Sequence, residues 1–458
     1  MHNKHWAGYA LAGTLLGAVA QTQAANWLML QGTENPKMPD HRLVGFIQPA
    51  YTKMLADPMT GLTGPLAGNN GKVVAQNLIA PRFEEQEALH LRRARVGARG
   101  RLGQDVNYFA MVELAPNGMT YDPFGDRARL VALDHLSLTA NQIPGARVRA
   151  GLFKNPGSEE SFQGIINFDY IDFTDFTARE ILERFVTGVQ SPARSSQGNI
   201  GTPVPTGYGF SAARDWGVQL FDSFRKDKWD LSYAVKLGRG ESISSTDDNN
   251  FNPELYLYGS AEYDLPGGKG PRKNGMKFYA WRQQGKRDFE SDPNQTEYDR
   301  VRQGVGFRAL GKLFGSSYKH RIAGELMQAS GAIFLAPQGN VPGGNLQFAM
   351  DDGNKALGWY LDYGFYLDKN WEFDVRYDRN KLLYKTSADV DPGNEREISG
   401  LTLGVNYHFN PKLRLTANYT KREAKAPVSY GVPALDADIA TTVGNLDDRI
   451  ALQLTWIY

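Results

Sequence analysis

"GWYLDYGFYLDKNWEFDVRYD", residues 358–378, repeats with a period of two. Trp359, Leu361, Tyr363, Phe365 and Leu367 fall on one side of that period. After the "DKN" break, Trp371, Phe373, Val375 and Tyr377 match them on the neighbouring segment. Asp362, Asp374 and Arg376 fall on the other side. Successive side chains of a strand point to opposite faces, so the stretch reads as two antiparallel strands joined by a tight turn. One face is aromatic and apolar, and the other is charged.

The alternation recurs along the chain. In "LRRARVGARGRL", Ala94, Val96, Ala98 and Leu102 oppose Arg93, Arg95, Arg99 and Arg101. In "KWDLSYAVKL", Trp229, Leu231, Tyr233, Val235 and Leu237 oppose Asp230, Ser232, Ala234 and Lys236. "RIALQLTWIY", residues 449–458, places Ile450, Leu452, Leu454, Trp456 and Tyr458 on one side. The pattern predicts strands over 43–52, 88–102, 106–115, 130–140, 146–154, 214–224, 228–238 and 253–265. It continues over 274–286, 298–312, 318–330, 355–367, 370–382, 396–409, 412–424 and 446–458. The connections alternate short and long, the longest covering 155–213.

With 41% apolar and 22% charged residues, the 458-residue chain has the means to fold, and its composition argues against disorder. It has no cysteine, which excludes disulfides, thiolate catalysis and sulfur-ligated zinc. Residues 1–24 read as a secretory signal: Lys4, then the apolar run "AGYALAGTLLGAVA", then small residues suited to cleavage after Ala24. Loss of Lys4 leaves the remainder formally neutral, so net charge names no partner and gives no reason to expect nucleic acid. No later run of apolar residues is long enough for a membrane helix. A closed β-barrel is the other way across a bilayer, because it pairs every backbone group internally. The expectation is therefore all-β: a 16-stranded antiparallel transmembrane β-barrel in the bacterial outer membrane, residues 25–458 forming one domain. An even strand number with alternating turns and loops suits that fold. A soluble two-sheet protein would have to bury the charged faces, whereas a water-filled lumen removes that cost. The last strand is expected to pair with the first.

Chemistry is then expected in the lumen. Residues 155–213 follow the fifth strand and are expected to fold inside as the third external loop. They carry Asp169, Asp172, Asp175, Glu180 and Glu183. The aspartate spacing lacks the glycine and terminal glutamate of a calcium loop, so it reads as an acidic pore loop and no metal is expected. Thr177 and Glu180 suggest a capping box for a short helix. Arg93, Arg95, Arg99, Arg101, Arg147, Arg149, Lys154, Arg300, Arg302 and Arg308 fall on lumen faces, where Arg and Lys rings favour anions. Four like charges on the second strand call for an anion or a field to balance them.

"LRRARVGARGRL", "NYFAMVEL" and "VRAGLFKNPG" together resemble the phosphate-selective porin family, most clearly over residues 88–185. The resemblance implies a sixteen-stranded barrel, usually a homotrimer, passing small anions such as phosphate by passive diffusion without a cofactor. It matches Arg92 and Arg93 to the family's paired arginines, Lys154 to its constriction lysine and Ser158 to a loop serine. Two other readings stay open. A sheath around a partner protein needs a wide clear lumen. A barrel enzyme needs a nucleophile and base together, and the seven histidines are scattered.

Overall fold

The computed structural model describes residues 26–34, 39–71, 73, 87–116, 131–182, 213–240, 253–268, 270–288, 297–337, 346–349, 351–386 and 395–458. The expected leader at 1–24 and the expected site residue Glu183 lie outside them. The strands are β1 His41–Met54, β2 Glu87–Leu102, β3 Val106–Glu113, β4 Ala132–Ala140, β5 Arg147–Lys154 and β6 Arg214–Lys226. Next come β7 Trp229–Gly238, β8 Glu254–Asp264, β9 Gly275–Asp288, β10 Glu297–Gly311, β11 Lys319–Gly331 and β12 Ile333–Pro337. The rest are β13 Leu346–Ala349, β14 Lys355–Tyr366, β15 Trp371–Lys385, β16 Arg396–Asn410, β17 Leu413–Lys425 and β18 Arg449–Ile457. Every strand except β12 and β13 belongs to one closed antiparallel barrel. All sixteen expected strands are present, with ends within three residues of those read from the sequence. β18 closes on β1 in register from Phe46↔Ile457 to Met54↔Arg449.

The hairpin at 358–378 has the expected form. Tyr363 pairs with Val375 and Leu361 with Tyr377. The Asp368 carboxylate accepts the backbone N–H groups of Asn370 (2.7 Å) and Trp371 (2.8 Å), which fixes the turn. Leu361 and Phe373 are exposed on the outside, while Asp362, Asp374 and Arg376 are buried inside. This inversion of a soluble protein holds around the wall: Leu89, Leu138, Val218, Phe278, Val305 and Leu452 face out, and Gln48, Arg93, Glu113, Gln219, Arg300 and Asn406 face in. Outward aromatics gather towards strand ends. Trp229 meets Tyr263 at 5.1 Å and Trp371 meets Tyr407 at 4.6 Å near the short turns; Trp359 meets Tyr377 at 5.4 Å nearer the other end. Such girdles suit the polar–apolar boundary of a bilayer.

Two β-bulges reset the inward face. Arg93 pairs with Gln48 but Leu91 pairs with Pro49, leaving Arg92 as the extra residue of β2. Pro49 lacks the N–H that a regular ladder needs, which explains the irregularity. Arg92 and Arg93 consequently both turn inward and are both buried. A second bulge, where Met111 pairs with His135 but Val112 with Leu133, brings Asp134 inside beside His135.

Three features depart from the expected barrel. β12 and β13 form a separate hairpin within the expected loop at 331–354. A helix, Pro433–Gly444, stands within the loop at 425–445, started by a proline that suits a first helical turn. Most important, residues 26–34 do not trail away from the barrel. They enter it, with Trp27, Leu28 and Met29 buried against loop and wall.

Candidate functional site: a charged lumen with two insertions

The 155–182 part of the third long loop lies inside the barrel, as expected, and its base is pinned by lysines. Lys236 donates to the carbonyls of Phe153 (3.0 Å) and Asp215 (2.8 Å) and to Asn155 Oδ1 (2.9 Å). Lys154 donates to the carbonyls of Ser161 (2.9 Å) and Gln163. Ser158 donates to Glu325 (3.0 Å), which also accepts from Trp281 Nε1 (2.6 Å) and Tyr360 OH (3.2 Å). Glu159 bridges Lys277 (2.7 Å) and Trp27 Nε1 (2.8 Å), so it ties the loop to the inserted amino-terminal segment. Glu160 takes Arg376 at 2.9 Å.

Further along, the described loop acids meet wall cations or loop partners. Asp169 pairs with Arg321 (2.5 Å) and Arg272 (3.3 Å). Asp172 pairs with Arg92 and Arg449 across the barrel. Asp175 takes Arg179 (2.9 Å) and Asn380 (2.9 Å), and Glu180 takes Arg302 (3.1 Å). The expected Thr177–Glu180 capping box does not form. The helical turn at Thr177–Ile181 has no side-chain cap, because Thr177 accepts from the Thr174 hydroxyl and Glu180 faces Arg302. Burial holds the Tyr170 hydroxyl well above its ordinary range, the carboxylates of Asp362 and Asp374 adding to it. It therefore stays protonated and donates to Asp362 at 2.6 Å.

Apart from Arg308, the remaining arginines expected on the lumen face are held by the chain itself. Arg93 donates to Gln48 (2.9 Å). Arg95 sits between Glu113 (2.8 Å) and Asp134 (2.7 Å), the latter shared with Arg214 (3.1 Å). Arg99 takes Glu34, and Arg101 takes Asp40 at 2.5 Å. Arg147 takes Asp222, and Arg300 takes Glu254 at 2.5 Å. Arg149 donates to Thr139 (3.2 Å) and the Leu28 carbonyl (3.2 Å), its guanidinium 4.3 Å from the Phe221 ring. Arg308 faces the lumen half-buried, opposite Lys277 and Ala323. The anion or field expected to balance the second strand's arginines is supplied in part by the chain: Asp172 faces Arg92, Glu113 and Asp134 face Arg95, Glu34 faces Arg99 and Asp40 faces Arg101, while Arg93 donates to the neutral Gln48.

Sequence periodicity missed several participants. Asp134 was hidden by its bulge. Arg272 belongs to the turn between β8 and β9, yet reaches inward to Glu372 at 3.1 Å. Glu34 lies on a stretch with no strand pattern. Pro49 inside a strand was the available sign of the first bulge. The resulting lumen is asymmetric in charge. Cations outnumber carboxylates on the β1–β7 and β18 side, where Arg92, Arg93, Arg95, Arg99, Arg149, Lys154, Arg214, Lys236 and Arg449 are found. Carboxylates prevail on the loop and the β8–β16 side, with Glu159, Glu160, Glu325, Asp362, Glu372, Asp374 and Asp378.

With this geometry in hand, the solved structures it resembles can be compared. The chain is similar to an anion-selective porin from Comamonas acidovorans, with 13% identity and a TM-score of 0.50 over 91% of this chain and 99% of that one. It is also similar to OmpF of Salmonella typhi in complex with daunomycin, with 12% identity and a TM-score of 0.51 over 91% and 97%. These likenesses concern the fold. No protein-family model and no curated protein matches the sequence.

Proposed function

We propose that the chain is an outer-membrane channel for passive diffusion of small solutes, with a preference for small anions. The observation that carries this reading is the inverted barrel: an apolar, aromatic-rimmed exterior enclosing a polar interior. Lipid suits the first surface and water the second. The anion selectivity of the Comamonas porin points the same way. So does the basic side of the lumen, which a permeating anion would follow. Narrowing the solute to phosphate gains no support from Lys154 or Ser158, whose observed hydrogen bonds go to the loop and to Glu325. Small anions as a class are the better-supported solutes.

A leader at residues 1–24 fits delivery across the inner membrane. A homotrimer fits the exterior, since the middle outward positions of β2 and β3 are small: Ala94, Val96, Ala98 and Ala110 stand where other strands carry Trp, Tyr and Phe. A sheath for a partner protein is disfavoured by the two insertions that occupy part of the lumen.

Purified protein in planar bilayers is expected to give stepwise conductance, with an anion-preferring reversal potential in a potassium chloride gradient. Arg308→Glu, which reverses a half-buried lumen charge, is expected to move that potential towards zero or beyond. A cation-preferring wild type would remove the anion assignment, and folded protein without conductance would remove the channel.

A further inference from the structure

We propose that the outer wall of β14–β17 carries a docking surface for a phosphorylated glycolipid of the outer leaflet. The inference needs the barrel to span the outer membrane and does not need the solute assignment. On that reading the long loops lie outside the cell, so the long-loop ends of these strands stand among outer-leaflet headgroups. Outward positions there are basic: Lys355 on β14, Arg379, Lys381 and Lys385 on β15, and Lys421 and Lys425 on β17. Register gathers them. Lys355 pairs with Lys385, Trp359 with Arg379, Lys381 with Glu397, and Glu397 with Lys425. Paired residues of neighbouring strands share a face, so four strands about 4.8 Å apart present these cations in one patch.

Carboxylates on this face do not match them. Glu397 takes both Arg379 (2.6 Å) and Lys381 (2.7 Å), and Lys421 lies 3.6 Å from Glu423. Glu395 adds a third carboxylate beside Lys381. Among the described residues, Lys355, Lys385 and Lys425 form no ion pair. The same end differs elsewhere on the wall. Lys53 meets Glu87 and Lys286 meets Glu297 one to one, while Leu114, Leu237 and Leu255 are exposed at the ends of β3, β7 and β8.

Depth gives the ligand's chemistry. Trp359, Tyr377 and Tyr419 face out beside the patch, on its turn-ward side, and such aromatics mark the level where lipid tails meet headgroups. A lysine facing tails is costly, whereas one at headgroup level meets phosphate. Excess cations spread over four strands suit a headgroup with more than one phosphate, the lysines acting as point charges and Arg379 as a fork. A soluble acidic partner would have to displace lipid to reach positions next to the girdle.

The probe is lipid A bearing two phosphates, added to the purified full chain in a neutral detergent and read by native mass spectrometry. Its dephosphorylated form and phosphatidylglycerol are the comparisons. The two-phosphate form is expected to bind at least about tenfold more tightly than either. Lys355→Gln, Lys385→Gln and Lys425→Gln combined are expected to weaken it by about tenfold, and Lys53→Gln with Lys286→Gln to leave it unchanged. Channel current is expected to be the same in both variants, because all these side chains lie outside the lumen. Equal binding of the two-phosphate and dephosphorylated forms overturns the proposal, as does equal binding of phosphatidylglycerol or an unchanged triple variant. Loss of an oligomeric gel band in the triple variant makes the patch a contact between copies and overturns it as well. Any of these failures with current intact leaves the channel standing. Selective binding in a protein without current keeps the docking surface and removes the channel.

Discussion

A chain lacking residues 26–34 is expected to conduct with a unitary conductance raised about twofold or more over the full chain, because the lumen's cross-section sets the current. The segment occupies space rather than merely touching the wall. Trp27, Leu28 and Met29 are buried in the lumen's apolar cluster with Phe162, Tyr258, Tyr279 and Trp281. Each such side chain contributes about 1.5–3 kcal/mol when fully buried, so the insertion is held firmly at rest. Polar contacts add to this: Asn26 donates to Ser232 Oγ at 2.6 Å, Arg99 donates to the Leu30 carbonyl at 2.9 Å, and Arg149 holds the Leu28 carbonyl. Removing the segment also uncovers Arg99 and Arg149 to lumen water. The shortened channel should therefore be more anion-preferring as well as wider. Equal conductance in the two proteins would mean that the segment leaves the lumen in the membrane.

Arg321→Met is expected to destabilise the barrel by about 3–5 kcal/mol, the usual consequence of removing one partner from a buried ionic network. Arg321 lies within 3.0 Å of carboxylate oxygens from Asp169, Asp362, Glu372 and Asp374. Once it is gone, Arg272 remains on Asp169 and Glu372, while Asp362 and Asp374 lose their ion-pair partner. The readout is the temperature at which the folded gel band converts to the unfolded one. Because Asp169 belongs to the third loop, current noise should rise too. Adding Asp374→Asn removes one of the stranded charges and should recover part of the loss. A transition unchanged in Arg321→Met would show that the Arg321 network adds nothing to the barrel's stability.

The barrel could be read from the sequence because strand period is a local property. Leu361 and Asp362 alternate whatever lies elsewhere in the chain, and sixteen such segments specify a closed wall. The third loop was legible by its length and by acids that needed cations. The lumen's detail was not, for three separate reasons. Bulges at Arg92 and Asp134 shift which side chains face inward, and period counting assumes that no residue is extra. Residues 26–34 carry no period at all, and their place depends on partners as distant as Ser232 and Glu159. Arginines that pair with the chain and arginines that await a solute look alike in sequence. Arg95 was placed correctly on the lumen face, yet its balance by Glu113 and Asp134 depends on strand register.

What all of this needs is that neighbouring residues of one strand meet different solvents. Phe307 and Arg308 of β10 offer the sharpest comparison, the first exposed on the outside and the second half-buried in the lumen. With no native cysteine to interfere, Phe307→Cys and Arg308→Cys can each be reconstituted in liposomes and treated with a charged, membrane-impermeant thiol reagent. The structure predicts rapid labelling at position 308 and none at 307, where a lipid-soluble reagent should react instead. Equal labelling of both by the charged reagent, or labelling of 307 alone, would contradict a barrel with lipid outside and water within.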